Sequence, residues 1–244
     1  MVAEKSATRM SPIVSCRGVE KRYRVGAIEV PALNGVELDI AKGDFATLSG
    51  PSGSGKTTLL NMIGGLDRPS AGEVSVDGTS LKGLDKNRLT EMRLHKIGFV
   101  FQAYNLIPVL SARENVEFIL QLLGVSAQER AKRADAALRD VGLEGMETRR
   151  PAYLSGGQQQ RVAVARALVA RPAIVLADEP TANLDSKTAE DLIGLMADLN
   201  RSLGITFLIG THDARVMAHS RRHIEMTDGR ITSDEAHENA NAAQ

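Results

Sequence analysis

Alternating apolar and polar residues in the first third of the chain predict β-strands. Between residues 13 and 40 the strands are expected to be short, because turn-forming residues such as Pro31 and Gly35 interrupt the alternation. Residues 72–78 predict another strand that ends in a turn. This part of the chain is therefore predicted to form an antiparallel sheet.

Two different patterns follow. Residues 44–49 predict a strand that leads into a glycine-rich loop, and residues 56–63 predict a helix directly after it. Between residues 111 and 141 the apolar positions recur at helical spacing. Ser111 and Ser126 are each followed three residues later by a glutamate, which is the spacing of a capping box. A block of helices is therefore predicted in the middle of the chain.

Beyond residue 156, helices and strands alternate, which predicts parallel strands joined by crossover helices. Helices are predicted at 156–170, at 186–201 and from Asp213, strands at 173–177 and 205–209, and a hairpin turn at Asp228-Gly229. The tail from Ser233 lacks apolar periodicity, so residues 1–12 and 233–244 are expected to be flexible. Residues 13–232 are predicted to be one domain.

Composition and charge exclude several function classes. The 244 residues are 43% hydrophobic, which excludes a disordered chain. Thirty Lys and Arg balance thirty Asp and Glu, so no global basic field attracts nucleic acid, and no nucleic-acid partner is expected. The apolar runs are shorter than the roughly 20 residues that cross a bilayer, and no signal-peptide pattern is present. With the single cysteine Cys16, these features predict a cytoplasmic protein.

A loop with the spacing Gly-x-x-x-x-Gly-Lys-Thr lies between a predicted strand and a predicted helix. Its residues are Gly50, Pro51, Ser52, Gly53, Ser54, Gly55, Lys56 and Thr57. Glycines let successive backbone N–H groups face phosphate oxygens, and the helix N-terminus adds partial positive charge. In this pattern the lysine reaches the outer phosphates and the threonine ligates Mg²⁺. A flexible Gly/Ser linker is the alternative, and the flanking strand and helix argue against it.

Two acids, Asp178 and Glu179, end the buried-strand run at 173–177. Ligands of α/β sheets bind at the carboxyl ends of the strands. Adjacent strand residues point to opposite faces, so one acid is expected to hold Mg²⁺ through water while the other polarises a water against the γ-phosphate. The alternative is that both acids only cap the strand and solvate the next turn.

The run Leu154-Ser-Gly-Gly-Gln158 opens a predicted helix. A capping box explains Ser155 and Gln158. It does not explain Gly156 and Gly157, because glycines weaken a first helical turn. Two consecutive glycines are better explained where the backbone approaches an anion.

Together these motifs resemble those of the ATP-binding subunit of an ABC transporter, and the resemblance covers nearly the whole chain. The matching segments are residues 50–57 (Walker A), Gln102 (Q-loop), 154–158 (signature), 174–179 (Walker B), 183–185 (D-loop) and His212 (switch histidine). The resemblance implies an α/β fold: a P-loop NTPase ABC ATPase core with an antiparallel β-subdomain and a helical subdomain inserted at about residues 103–170.

The same resemblance implies an ATPase that uses Mg²⁺ and forms a head-to-tail dimer around two ATP molecules. Each ATP contacts Walker A and the adjoining Thr58 of one subunit, and the signature of the other. The residues that the signature and the D-loop place at this interface are Ser155, Gly156, Gly157, Gln158 and Asp185. For Asp185, an N-cap of the following helix is a compatible second role.

The remaining roles concern the base, the metal and the reaction. Tyr23 stands where the family places the aromatic residue that stacks on adenine; packing within the β-subdomain is the alternative. Thr57, Gln102 and Asp178 are the expected Mg²⁺ ligands. Glu179 is expected to be the general base or to orient water, His212 to contact the γ-phosphate, and Gln102 to report the nucleotide state. A buried core histidine and a surface amide are the alternatives for His212 and Gln102.

Residues 30–39, 99–108 and 154–161 resemble the lipoprotein-releasing and macrolide-export group most closely. A separate permease is expected to supply the membrane part, which places this subunit on the inner face of the cell membrane. Arg113 departs from the usual apolar residue of that group. An importer ATPase, for amino acids for instance, and a non-transport regulator of a membrane partner, as in cell division, stay open as alternatives.

Two further features receive a structural interpretation. His219 and His223 are four residues apart and would suit zinc on a helix, but the neighbouring arginines and hairpin favour a strand at the surface. The pairs Arg149-Arg150 and Arg221-Arg222 are expected to be solvated.

Overall fold

The computed structural model describes residues 11–236. Its strands are β1 (Val14–Val25), β2 (Ile28–Ile40), β3 (Phe45–Ser49), β4 (Ala71–Val76), β5 (Thr79–Ser80), β6 (Ile97–Phe101), β7 (Ile174–Asp178), β8 (Thr206–Gly210), β9 (Arg222–Thr227) and β10 (Arg230–Ala236). Its α-helices are α1 (Lys56–Ile63), α2 (Lys86–Lys96), α3 (Ala112–Leu122), α4 (Ala127–Asp140), α5 (Gly156–Leu168), α6 (Ser186–Leu203) and α7 (Ala214–Ala218).

The strands form two sheets. The first is antiparallel, with the order β2-β1-β4-β5. The second has the order β10-β9-β3-β8-β7-β6, and its strands are parallel except for the antiparallel edge strand β10. The predicted antiparallel sheet, the parallel strands and the hairpin at Asp228-Gly229 are therefore all present.

Two hydrophobic clusters hold these layers together. One lies between the two sheets around α1 and contains Leu48, Leu59 and Met62. The other contains residues of the parallel sheet, of α5 and α6, and of the helices α3 and α4. Within it, α3 and α4 pack on each other and on α5, so the predicted helical block attaches to the parallel sheet through the helix that follows the signature.

The N-terminal strands are longer than predicted. β1 and β2 pair along nearly their whole length, and register shifts absorb the turn-forming residues. Because β2 is an edge strand of its sheet, Pro31 lies in it without breaking a ladder on its outer side. Helix α2 and strand β6 were not predicted from the sequence. Asp85 is the N-cap of α2, and its side chain accepts a hydrogen bond from the backbone N–H of Arg88. This helix is largely polar, so no apolar periodicity pointed to it in the sequence.

Arg221 and Arg222 are only partly exposed and are held by hydrogen bonds, in contrast to the predicted solvated surface. Arg222 donates to Asp44 at 2.9 Å and bonds both carboxylate oxygens of Asp234, whereas Arg221 donates to Asn200 at 2.6 Å.

The pair of Arg222 with Asp234 also corrects the expected start of the flexible tail, because residues 233–236 belong to β10. Residues 1–10 and 237–244, also expected to be flexible, lie outside the described residues. Arg149 and Arg150 are exposed, as predicted.

Between residues 11 and 236, no helix combines the length and the apolarity that crossing a membrane requires. His219 is the C-cap of α7 and His223 lies in β9, so the two histidines do not share a helix. The described residues contain no cluster of three or more His, Cys, Asp or Glu side chains suited to a metal ion.

Candidate nucleotide-binding site

The glycine-rich loop connects β3 to α1, and its backbone requires glycine at two positions. A Cβ on Gly50 would lie 2.1 Å from the carbonyl oxygen of Met226, and one on Gly55 would lie 2.7 Å from that of Ala32. Both glycines have positive φ angles, 138° and 105°. Contacts with β2 and β9 therefore fix the loop tightly over the end of the parallel sheet.

Lys56 is buried and folds back onto this loop. Its Nζ donates to the carbonyl oxygens of Gly50 at 2.7 Å and Pro51 at 3.0 Å, and it forms no ion pair within residues 11–236. Ser54 is also buried, and its Oγ has no hydrogen-bond partner among the described residues. A buried ammonium without a carboxylate, beside an unsatisfied hydroxyl, fits an anionic ligand such as a triphosphate.

Thr57 and Asp178 meet at the carboxyl end of β7, beside the phosphate loop. The Thr57 hydroxyl donates to Asp178 Oδ1 at 3.2 Å, so a hydroxyl and a carboxylate of the kind that bind Mg²⁺ lie side by side. Burial raises the pKa of Asp178, and the nearby Glu179 raises it further, while Thr57 and Lys56 act in the opposite direction. A divalent cation would offset the cost of this partly buried charge.

Glu179 and His212 form a second pair. His212 Nδ1 lies 2.7 Å from Glu179 Oε1, and the Thr211 hydroxyl donates to Glu179 Oε2 at 3.3 Å. Glu179 follows the last residue of β7 and has φ 47°, so a left-handed turn, and not strand alternation as predicted, separates its side chain from Asp178. His212 is exposed and Glu179 is largely buried, which excludes a buried core histidine.

Gln102 directly follows β6, and its side chain is exposed and makes no hydrogen bond to the described residues. Asn183 Nδ2 donates to its backbone oxygen at 2.9 Å. Arg166 was not expected from the sequence to contribute here; it donates to the carbonyl oxygens of Tyr104 and Asn105, two residues with positive φ angles. Helix α5 thus holds the segment that follows Gln102.

Tyr23 lies in β1, 38% exposed, near the first turn of α1. Its hydroxyl donates to Asp67 Oδ2 at 3.1 Å and is also within hydrogen-bonding range of Thr58. Burial, followed by the bond to Asp67, raises its pKa. Lys21 Nζ lies 4.8 Å from the ring centroid and pairs with Asp67 at 2.8 Å. These contacts fix the orientation of the ring and leave part of it accessible.

The signature residues begin α5 with the predicted capping box. Ser155 Oγ accepts from the Gln158 backbone N–H at 3.3 Å, and Gln158 Oε1 accepts from the Ser155 N–H at 2.9 Å. No hydrogen bond within residues 11–236 joins Ser155 to the phosphate loop. Within these residues the signature and the phosphate loop therefore form two separate groups.

The two signature glycines also have a packing role that the sequence analysis missed. A Cβ on Gly157 would lie 2.3 Å from Thr188 Cγ2, and one on Gly156 would lie 2.7 Å from the Tyr104 hydroxyl. Thr188 in turn donates from its N–H and hydroxyl to Asp185, which is the N-cap of α6 and whose pKa these bonds lower. Thr188 thus links the signature to the D-loop.

Comparison with known proteins gives consistent findings. The family model described as ABC transporter matches residues 33–182. The chain is 47% identical to the lipoprotein-releasing system ATP-binding protein LolD of Anaeromyxobacter dehalogenans, covering 99% of this chain and 100% of that protein. It is 44% identical to the macrolide export ATP-binding/permease protein MacB of Marinobacter nauticus, covering 91% of this chain. It spans only 34% of that longer protein.

A solved structure has the same fold. It is the dimeric, post-hydrolysis state of the ATP-binding cassette MJ0796 bound to ADP and Pi, at 46% identity and a TM-score of 0.85. The match covers 93% of this chain and 99% of that chain. MJ0796 itself comes from Methanocaldococcus jannaschii.

Replacing Gly157 by alanine is expected to destabilise the chain by about 1 to 3 kcal/mol, because the added methyl group overlaps Thr188. Thr188→Ser removes the overlapping Cγ2 and keeps the hydroxyl that bonds Asp185, so the double variant is expected to regain most of this loss. Denaturant unfolding of the wild type, both single variants and the double variant measures the coupling. Strictly additive losses would rule out the predicted overlap.

Asp178→Asn is expected to raise the free energy of unfolding at neutral pH by about 1 kcal/mol, because it removes a partly buried charge. The folded-state pKa of Asp178 is raised above its ordinary value of 3.8. Above the raised pKa, where Asp178 is ionised in the folded and unfolded states, its charge lowers the free energy of unfolding by the full amount. This penalty disappears as the pH falls below 3.8, where Asp178 is protonated in both states. Urea unfolding across this pH range, without nucleotide, measures the difference.

Asp213→Asn is the matched control for this titration. A hydrogen bond from Arg215 is the main cause that lowers the pKa of Asp213, so its ionised form stabilises the fold. This variant is expected to be less stable than the wild type at neutral pH, and the deficit is expected to shrink in acid. If both variants changed the free energy of unfolding at neutral pH in the same direction, the predicted destabilising effect of the Asp178 charge would be contradicted.

Proposed function

The chain belongs to the ABC transporter family and is an ATPase, and we propose that two copies close head to tail around two ATP molecules to drive a separate membrane permease. The observation that carries this proposal is the split site. Lys56 and Ser54 form one part, in which a buried ammonium and an unsatisfied hydroxyl suit an anion. The exposed Ser155 forms the other part and makes no hydrogen bond to them. A second copy supplies the missing half for each ATP.

The phosphate loop binds the triphosphate in this proposal. The backbone N–H groups of residues 50–57 and the N-terminus of α1 face the phosphates, with Thr58 in the same first turn. Lys56 leaves its two carbonyl partners to contact the outer phosphates. Tyr23 stacks on the adenine, because Asp67 and Lys21 hold its ring at the start of α1 and leave part of it accessible.

Thr57, Asp178 and Gln102 hold Mg²⁺, directly or through water. When bound, the metal neutralises charge that develops on the β- and γ-phosphates. Thr57 and Asp178 are already in contact, and Gln102 follows the strand paired with β7, so its side chain reaches the same edge of the sheet. This position lets Gln102 link the nucleotide to the helical subdomain.

Glu179 orients the attacking water or accepts its proton. Its carboxylate has one oxygen on His212 and the other on Thr211, which hold it at the mouth of the site. His212 is exposed enough to move from Glu179 to the γ-phosphate when the dimer closes. Water then attacks the γ-phosphorus, the bond to the ADP oxygen breaks, and the proton of the water passes to Glu179.

The helical subdomain is proposed to contact the permease. Phe118 and Leu122, one turn apart on α3, are exposed apolar side chains, and Val109 and Tyr153 in the adjoining loops are exposed as well. Exposed apolar residues of this kind suit a protein interface. Arg113, the departure noted in the sequence, bonds Asp135 of α4 at 2.6 Å, so it ties the two helices together.

The similarity to LolD and MacB favours a lipoprotein-release or macrolide-export system, with this subunit peripheral on the inner face of the membrane. Residues 13–232 are proposed to act as one ATP-binding domain. Importer and cell-division-type partners share the same catalytic motifs, and they are distinguished by the second experiment below.

Glu179→Gln is expected to bind ATP, to form a dimer that stays closed, and to hydrolyse ATP about 10² to 10⁴ times more slowly than the wild type. The matched control Lys56→Ala loses the cation that meets the phosphates and is expected to stay monomeric. Light scattering with ATP and Mg²⁺ measures the dimer, and phosphate release measures turnover. Near wild-type turnover would remove Glu179 from the mechanism, and a monomer in both variants would refute ATP-dependent closure.

Membrane proteins that co-purify with tagged Glu179→Gln in ATP and Mg²⁺, and not with Lys56→Ala, are expected to identify the permease. The closed state should retain it longest. Mass spectrometry that finds a permease with few membrane helices and a large extracytoplasmic domain supports the proposed group. An importer-type permease with a solute-binding protein, or soluble partners only, would contradict that group while leaving the ATPase chemistry intact.

A further inference from the structure

We propose that Gln160 is a positioning residue that holds the segments carrying Gln102 and Glu179 against the signature helix α5. It lies in the second turn of that helix, five residues after Ser155, and its side chain is completely buried. The proposal rests on the roles given above to Gln102 and Glu179.

The amide group of Gln160 joins two loops. Its Nε2 donates to the carbonyl oxygen of Phe101 at 3.2 Å and to that of Pro180 at 2.8 Å. Phe101 is the residue before Gln102, and Pro180 is the residue after Glu179. Both hydrogens of one NH₂ group therefore fix the backbone next to the two side chains that are proposed to act on Mg²⁺ and on water.

The bond to Pro180 matters because this backbone has few other anchors. Proline has no N–H, so its carbonyl is its only backbone hydrogen-bonding group. Glu179 itself has a left-handed φ of 47° and donates its N–H to Gly210 at 2.8 Å. Gln160 thus fixes one side of this strained turn and β8 fixes the other.

A structural role in packing alone does not account for an amide at this position. Its Oε1 is buried and makes no hydrogen bond within the described residues. A half-satisfied buried amide costs free energy that an apolar side chain of equal length would avoid. The contribution specific to glutamine is therefore its pair of donors.

The consequence is a direct link between the two halves of the split site. Any shift of α5 that moves Ser155, Gly156 and Gly157 also moves the donor that holds Phe101 and Pro180. Arg166, six residues further along α5, holds Tyr104 and Asn105 but makes no hydrogen bond to the Glu179 segment. Gln160 is the side chain of α5 that connects to both loops.

Gln160→Met tests this role, because it keeps the length and volume of the side chain and removes both donors. The expected result is a fall in kcat of about tenfold or more, with KM for ATP changed by less than about twofold, since Lys56 and the phosphate loop are untouched. Hydrogen exchange of residues 102–105 and 181–183 is expected to accelerate.

Asn200→Leu is the matched control. Asn200 is also a buried amide, and it donates to the carbonyl oxygens of Gly43 at 2.9 Å and Ile205 at 2.7 Å, at the opposite edge of the sheet. It is expected to lose stability while kcat per folded molecule stays within about twofold. Thermal unfolding sets an assay temperature at which both variants are folded.

The proposal is overturned if Gln160→Met retains kcat within twofold, if the control loses kcat to the same degree, or if hydrogen exchange at the two segments is unchanged. Should Gln160→Met not fold, Gln160→Asn replaces it with the same expectations, because it keeps the amide but is too short to reach both carbonyls. The exchange measurement needs no assumption about Glu179. If Glu179→Gln retains turnover, the proposed mechanism fails, whereas the exchange result still decides whether Gln160 holds the two segments.

Discussion

Parallel pairing of the central strands is the constraint on which the whole site depends. Strands β3, β8, β7 and β6 lie side by side and run in the same direction, so their carboxyl ends meet at one edge of the sheet. The phosphate loop, His212, Glu179 and Gln102 each follow one of these four strands. Residues up to 162 positions apart in the sequence, from Gly50 to His212, therefore come to one surface through hydrogen bonds made only by the backbone.

At that edge of the sheet, charged and polar groups lack partners that would fully compensate their burial. Lys56 is a buried cation bonded to carbonyl groups, Asp178 is a partly buried carboxylate with a raised pKa, and Ser54 Oγ lacks a hydrogen-bond partner within residues 11–236. Each arrangement costs stability in the free protein and would be relieved by a triphosphate with its metal ion. The site thus uses folding energy to present groups that are complementary to the nucleotide.

The part of the site formed by α5 is connected to this edge through packing and not through charge. Gly157 packs on Thr188, Gly156 packs against Tyr104, and Gln160 bonds the backbone beside Gln102 and Glu179. Close packing transmits small displacements, because the contacts cannot stretch without loss. The α5 helix is therefore placed to convey the proposed closure of a dimer to the residues that are proposed to contact water and metal.

The sequence alone determined the family, the α/β class with its antiparallel sheet, and the phosphate loop, because these are written in short local patterns of glycine, hydroxyl and apolar residues. It also predicted the helix starts at Ser155 and Asp185, since capping needs only residues three positions apart. It did not predict α2, β6 or the strand status of residues 233–236. The first has few apolar residues, and the last is held by the pair of Asp234 with Arg222.

Only the tertiary structure decided how the chemical groups are aimed. Four features of the site depend on residues from different elements. They are the left-handed turn at Glu179, the contact of His212 with its carboxylate, the overlap that excludes a side chain at Gly157 and the two bonds of Gln160. Such contacts depend on the distance between elements after packing, which no local pattern encodes. The sequence determined which groups the site contains, and the parallel sheet and the packing of α5 decided which of them meet.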